Sequence, residues 1–296
     1  MPLVSIVVAA YNCADWINAT LGDVFAQSYT HFELIFVDDG SSDKTYEVVS
    51  AISDPRLRVV RQPNSGSPAK PRNTGLALAK GSLVTFLDHD DRWHPRRLET
   101  VVARFVDPDC DLICHSMELV IGDKVSRVLK LRAYAKPLYL DMMLKGNYLL
   151  TSATTIRTDL VRRAGGFDER KEYFSVEDYD LWLRLAKAGA RFVFLNDVLG
   201  QYVKQPSGMS ANVDTHVARI FSVTKAHMRD NWEILEPYEN RILGRTYYDY
   251  GRELHRGGFF RAGLEKYREA VKLRFFSPKL AIGMALCVAH IKPLAI

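Results

Sequence analysis

The chain has 296 residues, of which 47% are hydrophobic and 25% charged, with a formal net charge of +5. That is room for one large domain, or a medium one with an appendage, and the apolar content is ordinary for a globular fold. The charge is local. Between Arg252 and Lys292 nine Lys/Arg stand against three Asp/Glu, so this stretch carries +6 and the rest about −1. This distribution excludes a uniformly basic nucleic-acid binder and points instead to one basic patch facing an anionic surface.

Met1-Pro2-Leu3 runs straight into a strand-like segment without a basic leader, so no signal peptide is expected. "VSIVVAAYN" is a continuous apolar run rich in β-branched residues, the pattern of a strand buried on both faces. Asp15 is placed to cap a helix with Ile17, Leu21, Val24 and Phe25 on one face. "FELIFVDDGSSD" repeats the scheme, with a strand over Glu33–Val37, an acidic turn, and a helix through Tyr46, Val49 and Ile52. "RLRVVRQ" and "SLVTFLD" read as the third and fourth strands, separated by loop and helix between Pro68 and Lys80. Pro95 suits the first turn of a helix running toward Phe105, and Met142-Met143 reads as packing.

From about Ala211 strands give way to helices, which sets an expected division into residues 1–210 and 211–296. Tyr247, Tyr250, Gly251 and Leu254 share one helical face, Phe260, Leu264, Tyr267 and Val271 another, and Gly257-Gly258 supplies the turn of a helical hairpin. "LAIGMALCVAHI" is apolar but, at 12 residues, too short to span a bilayer. Arg261, Arg268 and Lys272 share a helical face just before it, an arrangement that suits peripheral contact with a membrane or packing on a neighbouring lobe. Cys13, Cys110, Cys114 and Cys287 show no pairing pattern, which fits a reducing, cytoplasmic setting.

The βαβα rhythm implies a mostly parallel, helix-covered sheet, and such sheets bind ligands beyond the carboxyl ends of their strands. Three polar clusters sit at such ends: Tyr11-Asn12, Asp38-Asp39-Gly40-Ser41, and Asp88-His89-Asp90-Asp91. Asp88 and Asp90, two positions apart after a buried strand, suit one hard divalent cation shared with phosphate oxygens, manganese or magnesium. A solvated acidic turn is the plainer alternative. Asp38-Asp39-Gly40-Ser41 makes a turn and helix cap, yet one of its carboxylates can also meet a base or ribose. Tyr11 offers a stacking face. Lys70 and Arg72 precede a helix and could meet a diphosphate or simply be solvated. Glu177, Asp178 and Asp180 open a helix, where acids cap and complement the dipole, or where one serves as general base. His89 is a ligand candidate, although a lone His inside an acidic run is more often a turn residue.

Taken in order, "VSIVVAAYN", "FELIFVDDGSSD", "PRNTGLALAKGSLVTFLDHDDRW", "AGGFDER" and "EDYDLWLRLAKAG" resemble the family 2 glycosyltransferases of GT-A fold over roughly residues 3–200. The resemblance implies an α/β, Rossmann-like mixed sheet flanked by helices; the C-terminal α-helical appendage is read from the residues alone. The resemblance also implies an inverting transferase that moves sugar from a nucleotide-diphosphate donor, a UDP-sugar, using Mn²⁺ or Mg²⁺. Ala9, Tyr11, Asp39, Arg72, Asp88 and His89 would then contact the nucleotide, with Asp39 facing the base. Asp90 and Asp88 would hold the metal, and Asp178, of the Glu177-Asp178 pair, would be the catalytic base. The implied acceptor is a saccharide or lipid-linked saccharide at the inner face of a membrane, in cell-surface polysaccharide synthesis. Ala9 stands where relatives carry Pro or Thr, and Val203 and Gln205 where many carry Arg and His. Those last departures motivate the rival reading, a non-catalytic nucleotide- or glycan-binding module. Phosphate-loop and dinucleotide fingerprints are absent, and neither an Asp-x-Asp phosphatase nor a nucleotidylyltransferase fits.

Overall fold

The computed structural model describes residues 1–122, 124–131, 134–204 and 212–293. Strand β1 (Val4–Ala10) is buried at all seven positions, as its unbroken apolar run requires. Helix α1 (Ile17–Phe25) follows, but Asp15 does not cap it. The turn starts earlier, with the amides of Trp16 and Ile17 both donating to the Cys13 carbonyl, and Trp16 occupies the cap position without a side-chain bond. Next come β2 (Phe32–Asp38), α2 (Thr45–Ser50), β3 (Leu57–Arg61), α3 (Ala69–Leu78) and β4 (Leu83–Asp88). Strand β5 (Arg92–Trp93) is only two residues long, and α4 (Arg97–Arg104) begins two residues beyond Pro95, which sits in the preceding turn.

The remaining strands are β6 (Leu112–Ile121), β7 (Lys124–Leu129), β8 (Thr154–Arg157) and β9 (Phe192–Lys204). They are interleaved with α5 (Leu138–Lys145), α6 (Thr158–Arg163) and α7 (Glu177–Lys187). Among the described residues these nine strands form one sheet in the order β3-β2-β1-β4-β8-β6-β9-β5, with β7 paired to β6. The first four are mutually parallel, β8 runs antiparallel to both β4 and β6, and β6 pairs parallel with β9.

Register decides where the polar clusters fall. Ala9 lies opposite Val37 on one side and Asp88 on the other, and Ala10 lies opposite Asp38. The carboxyl ends of β1, β2 and β4 therefore finish level, and the three clusters expected to converge share one edge of the sheet. Helix α3 packs closely over β1 because it carries Gly75: a Cβ there would lie 2.3 Å from Val7 Cγ1. That contact holds Arg72, one turn earlier, down against the sheet.

By its contacts the chain divides into two compact units. One comprises Met1–Ala133 and Tyr148–Gly208, the other Tyr134–Asn147 and Met209–Ile296. The second thus takes in α5, which the division at 210/211 leaves with the sheet. Its other helices are α8 (Val213–Asp230), α9 (Trp232–Leu235), α10 (Glu239–Arg256), α11 (Phe260–Lys272) and α12 (Pro278–Val288). Gly258, at φ +86°, makes the turn between α10 and α11, and Tyr248, Tyr267, Ala270, Leu280 and Cys287 form a separate core.

Candidate active site

Arg72 organises the site. It sits in the first turn of α3, is buried, and divides its guanidinium between two carboxylates distant in sequence. Nη2 donates to Asp88 Oδ1 at 2.6 Å and Nη1 to Glu177 Oε1 at 2.5 Å. The end of β4 and the start of α7 are thereby joined through one cation, whose carbon also lies 5.3 Å from the centroid of the Phe167 ring. Burial disfavours the charged guanidinium, but Asp88 and Glu177 outweigh it and its pKa is raised.

The acids that open α7 separate by environment. Asp180 pairs with Arg184 at 2.8 Å, and Arg184 in turn donates to the carbonyls of Ala164 and Gly166, so Asp180 is structural. Glu177 is buried against Arg72, and burial pushes its carboxyl up to about 7 despite that partner. Asp178 is partly exposed. Its Oδ2 accepts from Thr151 Oγ1 at 3.1 Å and its Oδ1 from the Tyr179 amide at 2.6 Å. Burial of the carboxyl raises its pKa, with Arg72 and these donors pulling the other way.

A single 3₁₀ turn at Thr151–Ala153 supports both acidic groups. While Thr151 holds Asp178, Ser152 Oγ accepts the Asp88 amide at 3.0 Å, and the Ser152 carbonyl accepts Trp93 Nε1 at 2.8 Å. The sequence "GNYLLTSATTIR" reads only as a sheet edge, so these two side chains escape a motif search. Asp91 belongs to the acidic cluster after β4, but the sequence gives it no role of its own. It is buried, its Oδ1 accepts the Val203 amide at 3.0 Å, and burial with its acidic neighbours raises its pKa well above the carboxylate range. Val203 thus acts through its main chain, whatever its side chain. Gln205 lies outside the described residues.

Asp90 is partly exposed beside these groups, and burial raises its pKa, as does the proximity of Asp88. No cluster of three or more metal-ligating side chains occurs among the described residues. The donor set is nonetheless suited to a hard cation, with Asp90 and the free Oδ2 of Asp88 as protein ligands. Magnesium and manganese in phosphate chemistry commonly take one or two carboxylates and draw the rest from substrate and water.

At the end of β2, Asp38 organises the turn, accepting the Ser41 amide at 3.1 Å. Asp39 accepts from Gln62 Nε2 at 2.6 Å and from Ser65 through both its amide and its hydroxyl. Since a carboxylate has about four acceptor positions, one remains for a base. Gln62 is itself fixed by Thr74 at 2.7 Å. Tyr11 is exposed, leaving its ring free to stack. Ala9 is buried, and its carbonyl stands 3.3 Å from His89 Nδ1, while the His89 ring stacks near Trp16. His89 behaves here as a turn residue.

The model of Glycosyl transferase family 2 matches residues 5–164. The chain belongs to glycosyltransferase family 2. It is 30% identical over 76% of its length to the UDP-Glc:alpha-D-GlcNAc-diphosphoundecaprenol beta-1,3-glucosyltransferase WfaP of Escherichia coli, covering 87% of that protein. It is 34% identical to the amylovoran biosynthesis glycosyltransferase AmsB of Erwinia amylovora, over 67% of this chain and 68% of that one. Among solved structures, residues 1–349 of Staphylococcus aureus TarS in complex with UDP-GlcNAc superpose with TM-score 0.68 at 20% identity, covering 98% of this chain and 89% of that one. The mannosyltransferase PcManGT of Pyrobaculum calidifontis, in complex with GDP-Man and Mn²⁺, gives 0.67 at 21%, with 97% and 80% covered. The fold of this transferase is accordingly GT-A, and its activity is glycosyl transfer from a nucleotide sugar.

Proposed function

We propose that this transferase moves a sugar, with inversion, from a UDP-sugar to a hydroxyl of a lipid-linked saccharide in cell-surface polysaccharide assembly. The donor reading is supported by WfaP, named for UDP-Glc, and by the fold shared with UDP-GlcNAc-bound TarS. The acceptor reading draws on WfaP, named for a diphosphoundecaprenol acceptor, and on the teichuronic acid and amylovoran relatives. The observation that carries the mechanism is the Arg72 bridge, which sets Asp88 and the Glu177-Asp178 pair around one guanidinium.

Asp178 takes the proton of the acceptor hydroxyl as its oxygen attacks the anomeric carbon and the bond to the diphosphate oxygen breaks. Thr151 orients that carboxylate. Glu177 and Arg72 act as positioning residues, since the buried pair fixes the first turn of α7 relative to the end of β4. Asp39, Tyr11 and the turn around His89 receive the nucleoside. Asp90 and Asp88 would hold a manganese or magnesium ion, which when bound would supply positive charge against the diphosphate.

Calorimetry of UDP binding tests this assignment. Wild type is expected to bind UDP more tightly with manganese than without, and Asp90→Ala to lose that difference while keeping the metal-independent affinity. An Asp90→Ala protein with the full manganese effect would remove Asp90 from the site. A lipid-linked acceptor also calls for contact with a membrane surface; among the described residues no helix is long and apolar enough to cross a membrane.

A further inference from the structure

Two of the three cations expected on the α11 face, Arg261 and Lys272, have acidic neighbours, while Arg268 enters no ion pair among the described residues. Arg261 lies 3.6 Å from Glu265, and Lys272 pairs with Glu269 at 2.7 Å. The next helix is different. In α12 the positions turned inward are Leu280, Gly283 and Cys287, packed on the core formed with Tyr248 and Tyr267. Of the exposed positions, Lys279 stands to one side, and Pro278, Ala281, Ile282, Ala285 and Val288 make up the outer strip. At 100° per residue these five fall within about 120° of one another, and none is polar. A helix on a protein surface ordinarily shows polar side chains on that outer strip. Here Ile282 is 59% and Val288 69% exposed, and Phe276, just before the helix, is 71% exposed. Phe276 and Ala281 also border a shallow apolar groove of about 520 Å³, lined further by Val271, Pro278 and Met284.

The charge around this strip has one sign. From Ala270 to Pro293 the sequence holds Lys272, Arg274, Lys279 and Lys292 and not one Asp or Glu. Arg274, Lys279 and Lys292 enter no ion pair among the described residues. Lys279 lies beside the apolar strip, while Arg274 and Lys292 lie before and after the helix.

We propose that the outer face of α12, with Phe276, is an interfacial docking surface for an anionic lipid bilayer, in which the helix lies in the headgroup plane. An apolar strip rimmed by unpaired cations is the arrangement such a surface selects. A second copy of the chain fits poorly, because an isologous contact would set Lys279, Arg274 and Lys292 against the same cations of its partner. The proposal rests on the lipid-linked acceptor reading, and it names the surface that would serve it.

The test uses the full chain and vesicles of phosphatidylcholine with one quarter phosphatidylglycerol, free of any saccharide lipid. Wild type is expected to co-sediment with these vesicles and to be released by salt. Ile282→Asp with Val288→Asp, both at exposed positions, should weaken binding at least tenfold without changing Tm or UDP affinity. Changing Arg274, Lys279 and Lys292 to Gln should weaken it by roughly 100-fold, at about fivefold per charge. Failure of the wild type to bind, retention of binding by the double variant, or a shift of oligomeric mass in its place would each overturn the proposal. Transfer to a detergent-solubilised lipid-linked acceptor is measured separately. A protein that ignores vesicles yet uses this acceptor loses only the docking surface. One that binds vesicles but glycosylates only soluble saccharides keeps it, and the acceptor reading falls.

Discussion

Asp178→Asn is expected to lower kcat by roughly 10²–10⁴-fold, the usual contribution of a positioned general base. UDP affinity should barely move, because the substitution keeps the size of the side chain and leaves Arg72, Asp88 and Asp90 in place. The pH profile supplies a second readout. Burial raises the Asp178 carboxyl, so its working, ionised form is lost on acidification sooner than that of an ordinary aspartate. The wild-type kcat should therefore rise with pH along an acid limb lying above the usual aspartate range, and the Asn variant should lack that limb. Normal turnover in Asp178→Asn would transfer the role elsewhere. Glu177 is a poor alternative, since its carboxyl is buried and already engaged by Arg72.

Arg72→Met should be the most destabilising single change in the site. It leaves Glu177 buried without its cation and Asp88 without its partner. Removing one member of a buried pair costs about 3–5 kcal/mol, chiefly through the uncompensated charge left behind. For a unit of this size that is a fall in Tm on the order of 10 °C, measurable by calorimetric melting. Asp88 is 31% exposed on its side chain, so water absorbs part of its loss and Glu177 should dominate. Adding Glu177→Gln to Arg72→Met should then restore stability, because the stranded charge is gone. If Arg72→Met melts within about 2 °C of wild type, the bridge does not hold the site together in the way described.

The sheet and its polar edge were readable in advance because their signals are local. β1, β2 and β4 are predominantly apolar runs, and each ends in a turn whose residue types announce it. Parallel pairing then brings the three ends level without further information. What links them is not local. Nothing near Arg72 in sequence shows that its guanidinium meets carboxylates 16 and 105 positions away. Thr151 and Ser152 look like any small polar pair at a strand edge until Asp178 and the Asp88 amide are placed beside them. Position 203 illustrates a further limit, since comparison with relatives weighs its side chain whereas its contact with Asp91 runs through the amide. Asp15 does not cap α1 for a related reason. The carbonyl of Cys13 had already nucleated the turn that a cap would have opened.

The helical unit is stitched from two stretches of polypeptide, with Tyr134–Asn147 inserted between strands of the sheet. Tyr139 on α5 reaches His227 on α8 at 3.3 Å, and α5 also packs on α10. Excising everything after the last strand would therefore not yield a tidy catalytic fragment, because it would orphan an internal helix along with its aromatic anchor. Moving this helical unit onto another sheet domain requires two splices, and the two stretches must be exchanged together.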